Sequence, residues 1–484
     1  MRIPTCSVAL TAALTALLVA CAGEATTATP GTPAPVAVEP QPSTGPCGDL
    51  PADAGYVDVP ASGRATSSAR LFWSFSPAAS CAAQKPLFVV FNGGPGYPTS
   101  LGLSLRGVGP KRLTPQGTLE DNPASFTKLG NVLFVDTREA GFSYSVGDPG
   151  RAAACGTQTE REDAADSLLV AVEVLRKLPV HPKRKVVLVG ESYGGTRAQE
   201  MLELAFDPEA TAKDFPELAR SLRAYYAAAL GEPSPAPAKI GAVFGDQILV
   251  QPLVAGEVQV STAATAIKRD RALAPFVDDR RVDPYQIDRP AAEGNAAEAF
   301  AVRALGDLAL LEGLFGRDPR AILELVPSGR ARATRATPPS SNPDVDALNA
   351  ALSGELGALG PADRYYAVTP CPGSIVWGAG LGAGNTFLRN LARGRVFITN
   401  ARKDVIVYTP AIPEALATIA RLPLTMGARG GGPRPQTFDV TLPDGVVRTV
   451  RFPTYEQAGH AVAERMGVEL RDDVEAWLAE AGRE

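Results

Sequence analysis

Five short runs in this chain are apolar on both faces instead of on alternate residues: Pro86–Asn92 (PLFVVFN), Asn131–Asp136 (NVLFVD), Lys185–Gly190 (KVVLVG), Ile240–Asp246 (IGAVFGD) and Gly394–Asn400 (GRVFITN). A strand with two apolar faces must be covered from both sides, which is the situation of a central strand in a parallel sheet layered between helices. The stretch 160–178 suits a crossover between such strands, because it begins acidic, ends basic and carries apolar residues at helical spacing. Asp472–Gly482 is a second amphipathic segment, and Thr437–Phe452 alternates around Asp444-Gly445, which predicts a hairpin. The fold class these patterns imply is α/β, a doubly wound and mostly parallel sheet.

Two regions depart from that alternation. Residues 200–238 read as helices and loops. Residues 252–384 hold Ala- and Leu-rich helical segments and the polar stretch SGRARATRATPPSSNPD, and are predicted to form a largely helical cap insertion over the carboxyl ends of the strands. The core is then divided into residues 47–251 and 385–484. With 484 residues, 45% hydrophobic and 20% charged, the chain has ample material for that core. Its net charge of -5 without a long basic run argues against nucleic acid as a main partner.

The first residues read as a targeting segment. Arg2 precedes the apolar stretch Val8–Ala20, too short for a comfortable membrane span and of the length of a signal h-region. Leu18-Val19-Ala20-Cys21 resembles the lipobox of bacterial lipoproteins, in which the cysteine is lipidated and becomes the mature N-terminus; an ordinary secretory signal is the alternative. Both readings take the chain out of the cytoplasm, the first as a lipid-anchored protein on the extracytoplasmic side of a bacterial membrane. Residues 22–46, rich in Pro, Thr and Ala, read as a tether. Beyond it lie Cys47, Cys81, Cys155 and Cys371, compatible with two disulfides in any of three pairings; no Cys/His spacing suggests zinc.

Candidate chemistry begins at Gly190-Glu191-Ser192-Tyr193-Gly194, a G-x-S-x-G placed after a strand and before a helical segment. In α/β-hydrolases this pattern is the nucleophile elbow, where a tight turn demands small neighbours and raises the serine above the sheet. A serine hydroxyl needs a base, and the chain has two histidines. His181 lies in a basic loop entering the strand, at the edge opposite Ser192, which leaves His460, after the hairpin. The acid that orients the base falls between them in chain order, and Asp404 follows the last apolar run. The oxyanion hole requires two backbone N–H groups, one from Tyr193 and one from the glycine loop 91–98 (FNGGPGYP), where Gly94 is the candidate.

Taken in order, FNGGPG, NVLFVDTREAGFSYS, GESYGG, KDVIV and AGH resemble the serine carboxypeptidase family over residues 70–465. The resemblance implies removal of the C-terminal residue of a peptide through an acyl-enzyme, without metal or other cofactor. By position it gives Ser192, Asp404 and His460 as triad, Gly94 and Tyr193 as oxyanion hole, and Asn92, Gly93 and Glu191 as the site for the substrate's terminal carboxylate. A carboxylate beside Glu191 is repelled unless that glutamate is protonated, so acidic pH is expected to favour activity. The chain departs from the family where it has Gly107, in RGVGP, near the place of a second acidic residue, and where it has Val90 for a usual tryptophan and Tyr97 for a usual cysteine. A shortened loop, DTREAG, brings in Arg138 and Glu139. Arg106 or Arg138 are candidates to supply positive charge, although exposed, solvated arginines are the default expectation for both.

Two other readings compete with a peptidase: an esterase or acyltransferase using the same triad, and a tethered binding module that has lost catalysis. A further pattern, Ser125-x-x-Lys128 with Ser340-Ser341-Asn342, is that of penicillin-binding proteins, but no K-T-G follows it.

Overall fold

The computed structural model describes residues 48–63, 68–146, 158–178, 185–254, 256–276, 279–305, 307–322, 375–376, 383–420, 424–428, 433–434, 436–442 and 444–480, all in one compact unit, Pro42–Glu484. Its main sheet has 11 strands. In chain order they are β1 (Asp53–Val59), β2 (Ser68–Ser76), β3 (Leu87–Phe91), β4 (Asn131–Val135), β5 (Tyr144–Val146), β6 (Val186–Glu191), β7 (Phe244–Val250), β8 (Val396–Ile398), β9 (Leu424–Ala428), β10 (Gln436–Thr441) and β11 (Val447–Arg451). In space the order is β1-β2-β4-β3-β6-β7-β8-β11-β10-β9, with β5 also paired to β2. The six central strands β4, β3, β6, β7, β8 and β11 are parallel. Both flanks are antiparallel, including the hairpin β10–β11 whose turn has Gly445 at φ 83°.

The apolar runs occupy the parallel centre because both of their faces are covered. Leu87, Val89 and Phe91 of β3 point into one core with Val186 and Leu188 of β6. Helices α1 (Glu160–Lys177), α2 (Tyr193–Phe206) and α3 (Pro216–Leu230) fill that side. Phe88 and Val90 point the other way, with Val187 and Val189, against a helix at Gly467–Glu480 that contributes Leu470, Val474 and Trp477. Truncating a ring such as Phe88 to alanine should cost about 3–5 kcal/mol. Helix α1 starts where the charge pattern placed it: Thr159 accepts from the Glu162 N–H at 3.2 Å and its own N–H donates to Glu162 Oε2 at 2.6 Å, a capping box.

One strand begins later than its apolar run. Residues Pro237–Val243 form a short helix opened by its proline, and the strand starts at Phe244. The insertion contributes helices α4 (Gly256–Arg269), α5 (Ala291–Ala304) and α6 (Leu308–Phe315), and an antiparallel pair, Val282–Asp283 with Gln286–Pro290. It also has one short parallel pairing, Ile375–Val376 with Gln158–Thr159. Cys81 is disulfide-bonded. Cys47, Cys155, Cys371, Cys21, His181 and Ser340-Ser341-Asn342 lie outside the described residues.

Candidate active site

Ser192 is the single residue between β6 and α2, with φ 56° and ψ -123°. A non-glycine residue in such a region carries roughly 1–3 kcal/mol of strain and persists only where its surroundings impose it. Here the Ser192 N–H donates to the Val250 carbonyl at 2.9 Å, and its carbonyl accepts from Gly195 and Leu253 at 2.9 and 3.1 Å. The flanking glycines are sterically required, since a Cβ on Gly190 would stand 2.1 Å from the Gly194 carbonyl oxygen.

Asp404 and His460 meet from two different loops. Asp404 is fully buried; its Oδ1 accepts the N–H groups of Ile406 and Val407 at 2.9 and 3.0 Å, and its Oδ2 lies 3.0 Å from His460 Nδ1. That arrangement leaves His460 Nε2 as the nitrogen able to act as base. The loops are joined by Arg402 N–H to the Tyr455 carbonyl at 3.2 Å and Lys403 N–H to the Ala458 carbonyl at 2.9 Å. Burial disfavours the imidazolium, but the charge and hydrogen bond of Asp404, with the charge of Glu191, outweigh it and raise His460 above its ordinary value.

Asn92 directly follows β3 and Glu191 ends the adjacent strand β6, and the two meet there. Asn92 Nδ2 donates to Glu191 Oε1 at 2.8 Å, while its Oδ1 accepts the Leu103 N–H at 2.7 Å, which fixes the amide's orientation. Gly93 lies so close to the elbow that a Cβ there would sit 2.7 Å from Ser192 Cβ and 2.8 Å from the Tyr193 nitrogen. Gly94, at φ 105°, continues that loop. Burial pushes Glu191 up to about 7; the positive charge of His460 is the largest opposing influence, and Glu464 adds to the rise. Asn92, Gly93, Gly94, Glu191, Ser192 and His460 all line one cleft of about 1220 Å³, roofed in part by the insertion.

The two arginines expected at the surface are both largely buried. Arg138 pairs with Asp166 at 2.8 Å, with 6% and 5% of the two side chains exposed, and is bound in a structural ion pair. Arg106 lines the cleft, where Glu464 accepts both contacts of its NH2 group at 2.8 and 3.0 Å and Glu298 of α5 stands 3.4 Å away. A long guanidinium side chain is retained inside by partners that neutralise it, and these come from remote parts of the chain. Ser125 and Lys128 belong to a 3-10 turn, the serine capping it at Thr127 and the lysine reaching the Pro123 carbonyl.

A buried network that the motifs do not announce ties the glycine loop to the elbow. Asp163 of α1 accepts from the Tyr193 hydroxyl at 3.0 Å and from Arg197 Nε at 2.7 Å, and Arg197 also donates to the Asn92 carbonyl at 2.7 Å. One fully buried cation thus joins the glycine loop to the first turn of α2. The only sequence signal is a charge, Arg197, on the apolar helix behind the elbow.

Residues 42–210 match the family model described as serine carboxypeptidase. Serine carboxypeptidase-like 26 of Arabidopsis thaliana is 31% identical over 164 residues, 33% of this chain and 35% of that protein. Serine carboxypeptidase S10 family member 1 of Dictyostelium discoideum is 34% identical over 142 residues, 29% of this chain and 32% of that protein. The chain thus spans about a third of the length of these curated relatives. The crystal structure of Kex1(Δ)p, a prohormone-processing carboxypeptidase from Saccharomyces cerevisiae, superposes with a TM-score of 0.50 at 15% identity, covering 89% of this chain and 92% of that one. The chain has the α/β-hydrolase fold, and its part from residue 42 to 210, which carries the glycine loop and the elbow, is similar to the serine carboxypeptidases.

Proposed function

We propose that the chain is a serine-type carboxypeptidase. The observation that carries this reading is the convergence on one cleft of a strained Ser192, an Asp404–His460 pair at 3.0 Å and a Glu191–Asn92 pair at 2.8 Å. Ser192 Oγ attacks the carbonyl of the last peptide bond as His460 takes its proton. The N–H groups of Tyr193 and Gly94 receive the oxyanion, His460 returns the proton to the departing amino group, and water then hydrolyses the ester. Asn92, Gly93 and protonated Glu191 hold the free carboxylate. The test is mass spectrometry of blocked peptides with free or amidated C-termini, incubated with the full chain and with Ser192→Ala at several pH values. Removal of one residue from free C-termini only, lost in Ser192→Ala, is expected; equal cleavage of amidated or esterified ends would favour the esterase or acyltransferase reading. Gly107, near the place of the family's second acidic residue, is what recommends that second reading.

Export and lipidation at Cys21 are part of the proposal, and rest on the apolar segment and the Leu-Val-Ala-Cys sequence. Among the described residues no helix is long and apolar enough to cross a membrane. Metabolic labelling with a palmitate analogue tests the anchor, since Cys21→Ser should lose the label.

A further inference from the structure

The insertion does more than roof the cleft: it holds both sides of the histidine that serves as base. Gln286, on the second strand of the insertion's antiparallel pair, is 3% exposed. Its Oε1 accepts the N–H of Gly459 at 3.2 Å, and its Nε2 donates to the carbonyl of Ala461 at 2.9 Å. One side-chain amide therefore brackets His460 in the backbone, with the geometry by which a strand neighbour would pair with it. The contact extends to Tyr285, whose carbonyl accepts the Ala461 N–H at 3.4 Å and whose ring centroid lies 5.8 Å from that of His460. Gly459 shows how closely the segments press together, because a Cβ there would stand 2.3 Å from the Tyr285 carbonyl oxygen.

Other links between the same segments are weaker. Arg289 to Glu464 at 3.2 Å and Arg465 to Asp288 at 3.0 Å are partly exposed ion pairs, whose contribution is small in water. Buried backbone groups deprived of partners are penalised more heavily than exposed charges. The amide of Gln286 is thus the stronger constraint on the loop, and it acts on the residues adjoining His460.

We propose that Gln286 is a positioning residue for His460, so that the base is aligned for Ser192 by the insertion as well as by Asp404. The inference rests on the serine-hydrolase reading, and the experiment separates the two. The full chain is treated with a fluorophosphonate: the Ser192 oxygen bonds to phosphorus, fluoride leaves, and the hydroxyl proton passes to His460. The saturating rate and the half-saturating concentration are followed against pH. Gln286→Met, of similar length without hydrogen bonds, should lower the saturating rate about tenfold with the half-saturating concentration unchanged. Gln286→Glu keeps an acceptor for Gly459 but places a carboxylate beside a carbonyl, so its rate should also fall. That carboxylate adds to Asp404 and Glu191 in favouring the imidazolium, so the acid limb should move to higher pH, a change that loss of fold does not produce. Should Gln286→Met not fold, Gln286→Glu carries the comparison. Rates and acid limbs equal to those of the unmodified chain in the folded variants would overturn the proposal. Absence of Ser192 labelling in the unmodified chain would instead overturn the hydrolase reading, and the proposal with it.

Discussion

Replacing Glu191 by glutamine should remove the pH dependence of recognition while leaving the recognised group in place. Glu191 titrates at about 7, so it is mostly neutral in mild acid and charged above that value. Two carboxylates about 4 Å apart in an effective dielectric of about 20 repel by roughly 4 kcal/mol. Keeping Glu191 protonated at pH 9 costs about 2.8 kcal/mol, two pH units at about 1.4 kcal/mol each. Protonation is the cheaper route, so the substrate binds with an added proton and KM for a free C-terminus rises about tenfold per unit above 7, reaching about 100-fold at pH 9. In Glu191→Gln the neutral amide still accepts from Asn92 and offers N–H to the substrate, and KM should stay flat. Because Glu191 is already protonated when a free C-terminus is bound, the replacement should leave the acid limb of kcat where it is. The assay is steady-state hydrolysis of one blocked dipeptide across pH 5–9, with its amide as a control for carboxylate recognition. A flat KM in the unmodified chain, or the same rise in Glu191→Gln, would refute the argument.

The same titration bears on stability: the folded state holds a proton on Glu191 up to about 7, against an ordinary value of 4.5. Stability is therefore lost as pH rises through that window, by roughly 3.5 kcal/mol, the difference of 2.5 at about 1.4 kcal/mol per pH unit, and Glu191→Gln should melt higher than the unmodified chain at pH 8. Asp404→Asn should reduce kcat by up to about four orders of magnitude with little change in KM, because the ring would turn or take the wrong tautomer; stopped assays at high enzyme concentration measure it. Arg197→Met leaves Asp163 charged and unpaired by its cation in the interior, and should cost about 3–5 kcal/mol in urea unfolding. The double variant with Asp163→Leu should recover much of that loss without restoring turnover, since Tyr193 and the Asn92 carbonyl lose their shared anchor.

The central strands were legible because their apolar runs have two faces to bury, and the elbow because its glycines are imposed by atoms 2.1 to 2.7 Å from where a Cβ would be. The run beginning at Ile240 misled by four residues, as a short apolar segment does not by itself distinguish a helix end from a strand. The antiparallel flanks were visible only at the Asp444-Gly445 hairpin. Arg106 resembled any surface arginine because its partners, Glu298 and Glu464, are 192 and 358 residues away. Gln286 gave no signal for the same reason: it stands 173 residues from Gly459, in a segment whose composition says helix and loop. Local sterics can be read along a chain, whereas remote neutralisation and bracketing require the chain to be folded first.

The match to the serine carboxypeptidase family model covers residues 42–210 and so does not include Asp404 and His460. What joins those two residues to the elbow is the order of the sheet. From β6 the parallel strands run through β7 and β8 to β11, so the acid loop and the base loop leave the carboxyl edge on the same side as Ser192. Beyond β8 and β11 the two chains stay paired, Asn400 with Thr454 and Ala401 with Tyr455. Asp404 comes three residues after that pairing and His460 five, a register that leaves little slack in either loop. A slip of one residue would turn each following side chain to the opposite face and separate Asp404 Oδ2 from His460 Nδ1. The parallel pairing after the core strands is therefore as much a condition for the 3.0 Å contact as the two side chains that make it.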